Sequence, residues 1–142
     1  IVVGVEGSSH PTVLVVTTPE PTAIADAYAT IKSLPLSSTG HLLTLVNRAD
    51  SEQQAREIHD RLAQTTRMFL EKEPGRGGWV PEDPAVATAI HERVPVMLAE
   101  PDCPAARALD QLARRLFYRA VVPPDRPAFF ERLLPGPMAR AA

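Results

Sequence analysis

The sequence predicts an α/β fold, a partial parallel sheet with flanking helices. Short apolar runs alternate with helical patterns along the 142 residues, and this order is typical of strands joined by crossover helices. The runs at Ile1–Val5, Val13–Val16 and Leu42–Val46 are continuously apolar rather than alternating. Continuous apolar strands are expected where helices cover both faces of a parallel sheet.

The second of these strands leads directly into a helix. Pro19 and Pro21 remove backbone donors and restrict φ, so the strand must stop there. Thr22 is the predicted N-cap of a helix that runs to about Ser33. The apolar residues on one face of this helix are Ile24, Tyr28 and Ile31.

The segment after the third strand predicts a long helix. Ser51–Gln54 has the capping-box pattern in which a serine side chain accepts a bond from a backbone amide in the first turn. The predicted buried stripe of this helix is Ala55, Ile58, Leu62, Thr65 and Phe69.

Two further helices are predicted to open at prolines. Asp83 is the expected N-cap of one, because Pro84 then occupies its first helical position. Pro104 opens the other. Residues 74–78 are predicted to form a loop, and the two runs expected as short strands are Trp79-Val80 and Val96–Leu98. The predicted buried stripe of the last helix is Leu109, Leu112, Ala113, Leu116 and Phe117.

Composition narrows the classes of function. Cys103 is the single cysteine, which excludes a disulfide within one chain and a cysteine-based zinc site. The four histidines have no metal-ligand spacing. Residues 1–104 carry 8 basic and 14 acidic side chains, a net charge of −6 that would repel nucleic acid, whereas residues 105–142 carry +4.

Several segments together resemble one family. These segments are the strand, turn and helix of Val15–Lys32, then Leu45–Ala49, Trp79–Asp83 preceded by Gly78, Ala89-Ile90 with Val94–Val96, and Ala105–Leu116. In this order and spacing they resemble the MinD/ParA-type deviant Walker ATPases, most of all the FlhG/FleN branch that sets flagellar number and placement. The resemblance covers about residues 12–117 and corresponds to the C-terminal half of that fold.

The resemblance implies roles for particular residues. Asn47 stands where the family's asparagine reads the adenine edge, which suits a carboxamide because it both donates and accepts. Arg48 follows it, and Pro81, Glu82 and Asp83 match the turn that packs beside the base. Glu20 and Asp26 stand at the partner-facing positions. The family's cofactor is ATP with Mg, and its function is that of an ATP-dependent dimerising switch.

The departures from the family are equally specific. The first residues look like the strand that supplies a magnesium aspartate, but Gly4 stands at that position and Glu6 disturbs the glycine pattern. The printed sequence also has no GK[ST] stretch of the kind that cradles phosphate. Since phosphoryl transfer depends on positioning and charge neutralisation, we expect no hydrolysis and no tightly bound nucleotide. Because Ile1 already lies in a strand-like run, a fragment of a longer protein is expected.

The predicted domain spans 1–122, and 123–142 is a proline-rich tail with a short amphipathic segment. Two interpretations of that segment remain open: a weak anchor on an anionic membrane, or an apolar cap packed on the domain. We expect a cytoplasmic protein, membrane-associated if the first interpretation holds. The apolar residues of the segment are Phe129, Phe130, Leu133 and Leu134.

Three hypotheses of function follow. The first is a fragment or degenerate member of a MinD/FlhG-like ATP-dependent spatial regulator. The second is a catalytically inactive interaction module that forms a homodimer or binds a protein partner, acting through helix 22–33 and the basic tail. The third, an unrelated Rossmann-like enzyme, is disfavoured because no strand–helix turn is glycine-rich.

Overall fold

The computed structural model describes residues 2–5, 12–35 and 41–121. Its strands form one four-stranded sheet in the order β1-β2-β3-β4, and β2, β3 and β4 run parallel. The α/β class and the parallel sheet with flanking helices are therefore confirmed. The strands are β1 (Val2–Val5), β2 (Thr12–Thr17), β3 (His41–Ala49) and β4 (Gly75–Pro81).

The first strand corrects the expectation that every strand is parallel. β1 pairs antiparallel with β2, with Val2 opposite Val15 and Val5 opposite Thr12. Only residues 6–11 separate the two strands in sequence. A parallel connection needs a crossover of about a dozen residues or more, whereas an antiparallel pair can be joined by a short link.

Helices follow the parallel strands at nearly the predicted positions. The first is capped by the backbone of Glu20 with Pro21 at its first position, so the prediction of Thr22 as the N-cap is wrong. The predicted caps Ser51 and Asp83 are confirmed, because each accepts a hydrogen bond from a first-turn amide. The helices are α1 (Pro21–Ser33), α2 (Glu52–Leu70), α3 (Pro84–Glu92), α4 (Val96–Ala99) and α5 (Pro104–Val121).

The strand predicted at Val96–Leu98 is wrong, since these residues form α4. The amides of Leu98 and Ala99 donate to the Pro95 carbonyl at 2.8 and 3.0 Å, which closes a helical turn. Leu98 is also 75% exposed, so the run is not buried as a central strand would be. A three-residue apolar run does not distinguish a buried strand from a short surface helix.

The glycine-rich segment before Trp79 also differs from its prediction. Residues 75–78 belong to β4 together with Trp79 and Val80, so the predicted loop is a strand, and the predicted very short strand spans seven residues. Gly75 lies opposite Leu43 and Gly78 opposite Leu45 in the parallel ladder. Glycine is unusual in a strand and marks a bulge or a close backbone approach.

The core lies on both faces of the sheet. On one face, Val15 of β2 packs with Ala27 and Ile31 of α1 and with Leu62 of α2. On the other face, α5 covers the strand residues whose side chains point away from α1 and α2. The buried members of that second cluster are Leu14, Leu43, Leu45, Val80 and Ala105.

The two long helices bury narrower stripes than predicted. Phe69 and Phe117 are 70% and 65% exposed, although both were predicted to be buried. Thr66 is fully buried, and Leu70 packs on the α1–α2 cluster, so the α2 stripe continues through these positions. Adjacent helical positions differ by about 100°, which turns Phe69 and Phe117 away from the core faces of Leu70 and Leu116. In the described part of the chain, no helix combines the length and apolar content needed to cross a membrane.

A buried lysine ties α1 to the segment that follows α2. Lys72 is 9% exposed, and its Nζ donates to the carbonyl oxygens of Ile31 at 2.7 Å and Leu34 at 2.5 Å. The last carbonyl groups of a helix have no hydrogen-bond partner within the helix. A cation at this end satisfies them and interacts favourably with the negative end of the helix dipole. The ammonium therefore caps α1 from a distant part of the sequence.

Candidate functional site

The carboxyl ends of β2, β3 and β4 meet at one edge of the sheet, where open α/β folds bind ligands. Asn47 of β3 lies opposite Val80 of β4, and Ala49 lies opposite Pro81. The Glu82 amide donates to the Ala49 carbonyl at 3.1 Å, which continues the pairing into the turn. The structure thus brings the predicted base-side residues Asn47 and Pro81–Asp83 together.

Arg48 connects the three strand ends. Its φ of 59° is left-handed, and the β3–β4 register shifts between Asn47 and Ala49, as at a β-bulge. Arg48 Nε donates to Glu82 Oε2 at 2.7 Å, and Nη1 lies 3.9 Å from Glu20 Oε1. The hydrogen bond to Glu82 raises the pKa of Arg48. All three side chains are exposed, so these ion pairs orient the edge and add little stability.

Two polar groups at this edge have unused hydrogen-bonding capacity. The half-buried carboxamide of Asn47 bonds to no other described residue, leaving a donor and an acceptor available. At the end of β2, the hydroxyl oxygen of Thr18 is buried and has no partner in the ranges that the structure describes. Buried polar groups are normally paired, so an orphan beside a strand end marks a place where a ligand or another chain segment can bond. Sequence reasoning missed Thr18, because nothing in its local pattern signals burial.

Asp83 has a structural task at both of its oxygens. Oδ1 accepts from the Ala85 amide in α3, and Oδ2 accepts from the Ala105 amide in α5, each at 3.0 Å. Both bonds lower the pKa of Asp83, and the bond from the Ala105 amide has the larger effect. The carboxylate is therefore ionised at neutral pH. The side chain holds together the first turns of two helices that begin 20 residues apart. Of the predicted site residues, Asp83 is the one whose side chain is already fully engaged.

The predicted partner-facing residues lie on and beside α1. Asp26 is exposed, on the side away from the buried Ala27 and Ile31. Glu20 is exposed and faces Arg48 rather than projecting alone. The residues of the predicted membrane segment, namely Phe129, Phe130, Leu133 and Leu134, lie outside the described residues.

A metal site is not formed within the described ranges, where no three histidine, cysteine, aspartate or glutamate side chains are grouped to hold an ion. His59 of α2 instead forms a hydrogen bond of 2.6 Å between its Nδ1 and the hydroxyl of Thr44 in β3, where the helix packs on the sheet. Burial, together with the charge of Arg76, lowers the pKa of His59, which favours the neutral ring. This histidine is a structural residue of the α2–β3 contact.

Comparison with known proteins places this edge in context. No protein-family profile matches the chain. It is 34% identical to the antiactivator FleN of Pseudomonas aeruginosa over 108 residues, which are 73% of this chain and 38% of that protein. It is 29% identical to an uncharacterized ATP-binding protein of Methanocaldococcus jannaschii over 136 residues, 94% of this chain and 49% of that protein.

Two solved structures share the fold over part of their length. The cell division ATPase MinD of Pyrococcus furiosus superposes with a TM-score of 0.58 and 21% identity, over 73% of this chain and 41% of that one. The MinD cell division protein of Aquifex aeolicus gives 0.54 and 26%, over 76% and 44%. The chain therefore spans about half or less of the length of the relatives it matches.

Proposed function

Over part of its length this chain is related to the MinD/ParA-type ATPases and is FleN-like, and from that relationship we propose that it forms the base-binding side of an ATP site. The site would serve an ATP-dependent spatial regulator of the kind that places a flagellum or other cell machinery. The observation that carries this proposal is the position of Asn47 beside the Pro81–Asp83 turn, at the carboxyl edge of β3 and β4.

The residues at this edge fit a purine base. Asn47 offers a donor and an acceptor, which matches the edge of adenine. Pro81 is half-buried, lies opposite Ala49 and one residue beyond the partner of Asn47, and supplies an apolar surface at this edge. A base would therefore be held by hydrogen bonds from Asn47 to its edge and by an apolar contact between Pro81 and its ring face.

The same edge does not fit the triphosphate. Among the residues that the structure describes, the charged side chains at this edge are Glu20, Glu82, Asp83 and Arg48, and the one cation of this set is already paired with two of the carboxylates. ATP would supply a cleavable phosphoanhydride when bound, but cleavage needs phosphate-binding cations and a metal carboxylate. We therefore propose that this chain binds the base weakly and does not hydrolyse ATP by itself.

Adenosine binding tests the proposal. We expect millimolar affinity, about −4 kcal/mol, with NMR amide shifts confined to residues 47–49, 80, 82 and 83. Asn47→Ala should abolish the shifts, and Gln64→Ala, which removes an exposed carboxamide from α2, should leave them unchanged.

Two results would contradict it. Equal shifts for adenosine in the wild type and in Asn47→Ala would remove the base-binding role of this edge. Steady phosphate release from ATP that Asn47→Ala abolishes would show that the chain is catalytically competent.

A second function, partner binding through α1, has support from the exposure of Asp26. This carboxylate projects from the outer side of a helix whose inner side is packed on the sheet. If α1 binds a second copy or another protein, Asp26→Ala should lower the association measured by light scattering at least about fivefold, the range of an interface charge. Asp110 pairs with Arg114 on α5, so Asp110→Ala is the control for loss of one surface carboxylate. Unchanged association in Asp26→Ala would leave Asp26 as an ordinary solvated residue.

A further inference from the structure

A cleft of about 640 Å³ lies along β4 and reaches Pro81 at the carboxyl end of that strand. Its walls include Arg56 and His59 of α2 and Arg107 and Leu112 of α5. Because α2 and α5 cover opposite faces of the sheet, a cleft shared by both must pass along the outer edge of β4. The β4 residues that line it are Arg76, Gly77, Gly78, Trp79 and Pro81.

The outer edge of β4 is open in the part of the chain that the structure describes. β4 is the last strand in the sheet order, so only its inner edge pairs, with β3. A strand edge carries a row of amide and carbonyl groups that can pair with a further strand. Gly78 lines the cleft and is partly exposed, and the nearest atoms to a Cβ at this position would be Arg115 Nη1 at 3.6 Å and Leu45 Cδ1 at 3.8 Å, so its backbone is open on that side.

Arginines surround this edge on both sides. The cleft is lined by four arginines and one acidic residue, Glu52. Three of the arginines form ion pairs: Arg56 with Glu52, Arg76 with Asp60 and Arg107 with Asp102. All six side chains are more than half exposed. Arg115 has no ion-pair partner among the described residues, and its Nη1 lies 3.6 Å from the position of a Cβ on Gly78. Exposed ion pairs are weak, so incoming carboxylates can replace the present ones.

The dimensions suit an extended peptide. A strand advances about 3.3 Å per residue, so the seven residues of β4 offer an edge of about 20 Å. Side chains of an added strand would point alternately toward α2 and toward α5, which places acidic groups within reach of arginines on both walls. Trp79 and Leu112 provide apolar surface between the charges.

We propose that the outer edge of β4 binds an extended acidic peptide segment of a partner protein, which adds to the sheet as a further strand. Backbone hydrogen bonds to β4 supply the pairing, and carboxylates facing Arg56, Arg107 and Arg115 supply the selectivity. This site shares Pro81 with the base-binding edge but none of that edge's polar side chains, and it does not depend on the nucleotide proposal.

Fluorescence anisotropy with three labelled heptapeptides tests the proposal on the full chain. One peptide alternates Glu and Thr, the second alternates Lys and Thr, and the third has the Glu/Thr sequence with alternate backbone nitrogens methylated. We expect the first to bind, the second not to bind, and the third to bind at least about tenfold more weakly, since methylation removes pairing but keeps the charge. Added salt should weaken binding of the first peptide.

Arginine variants locate the site. Arg115→Gln and Arg107→Gln should each weaken the Glu/Thr peptide about three- to tenfold, whereas Arg61→Gln, an exposed α2 arginine outside the cleft, should not. Circular dichroism checks that the variants are folded. Equal affinity for the methylated and unmethylated peptides, or displacement of the peptide by equimolar tripolyphosphate, would overturn strand addition and leave a general anion site. Absence of binding by the Glu/Thr peptide would overturn the proposal altogether.

Discussion

Ile31→Ala should lower the free energy of unfolding by about 2 to 5 kcal/mol, the usual loss for truncating a buried isoleucine. Ile31 is 0% exposed and packs in the cluster that joins α1 and α2 to β2. The truncation removes the transfer energy of three carbons and leaves a cavity that only partly collapses. Urea unfolding followed by circular dichroism measures the change, with the slope expected to stay constant.

Ile90→Ala is the matched control for this prediction. Ile90 is the same residue type in a helix, but it is 70% exposed. Its truncation should change the free energy of unfolding by no more than about 0.5 kcal/mol. Similar losses in the two variants would mean that the α1–α2 face is not the principal core.

Gly77→Ala is expected to destabilise the fold by about 1 to 3 kcal/mol, the cost of overpacking a core. A Cβ at Gly77 would stand 2.8 Å from the Thr44 carbonyl oxygen and 2.9 Å from Leu14 Cδ1. The first of these atoms is backbone of the neighbouring strand and cannot turn aside. The β3–β4 ladder would have to separate at its register shift between Thr44 and Leu45.

Gly75→Ala provides the comparison within the same strand. Its Cβ would meet only Leu43 Cδ2 at 3.1 Å and the Leu42 carbonyl oxygen at 3.8 Å. A flexible side-chain end can move, and alanine also restricts the unfolded chain, so we expect at most a small loss of stability. Thermal unfolding of the two variants side by side measures the difference. A Gly75→Ala loss as large as that of Gly77→Ala would contradict the close approach at Gly77.

The parallel core of the fold was predictable because its signals are local. Continuous apolar runs gave β2 and β3, and Ser51 and Asp83 marked helix starts by capping chemistry that acts within one turn. The direction of β1 depends on pairing and on connection length, and an apolar run does not encode it. The short helix at Val96–Ala99 was missed because its type depends on surface position, which a three-residue pattern does not report.

The candidate site was predictable only in part. Strand-end logic and the family resemblance correctly placed Asn47 next to Pro81, since adjacent parallel strands end at one edge. The second bond of Asp83, to an amide 22 residues away, arises from the packing of α5 and has no local signal. The open edge of β4 was not predicted because residues 74–78 were interpreted as a loop, which hid most of that strand.

The Lys72 contact has a consequence for the order of folding. Its two hydrogen bonds join residues separated by 41 and 38 positions, and the loop they close contains all of β3 and α2. Bringing the ends of such a loop together costs entropy that the local sequence of α1 cannot offset. The carbonyl oxygens of Ile31 and Leu34 gain this partner only when β3 and α2 have docked, so we expect the end of α1 to be secured later than the rest of the helix.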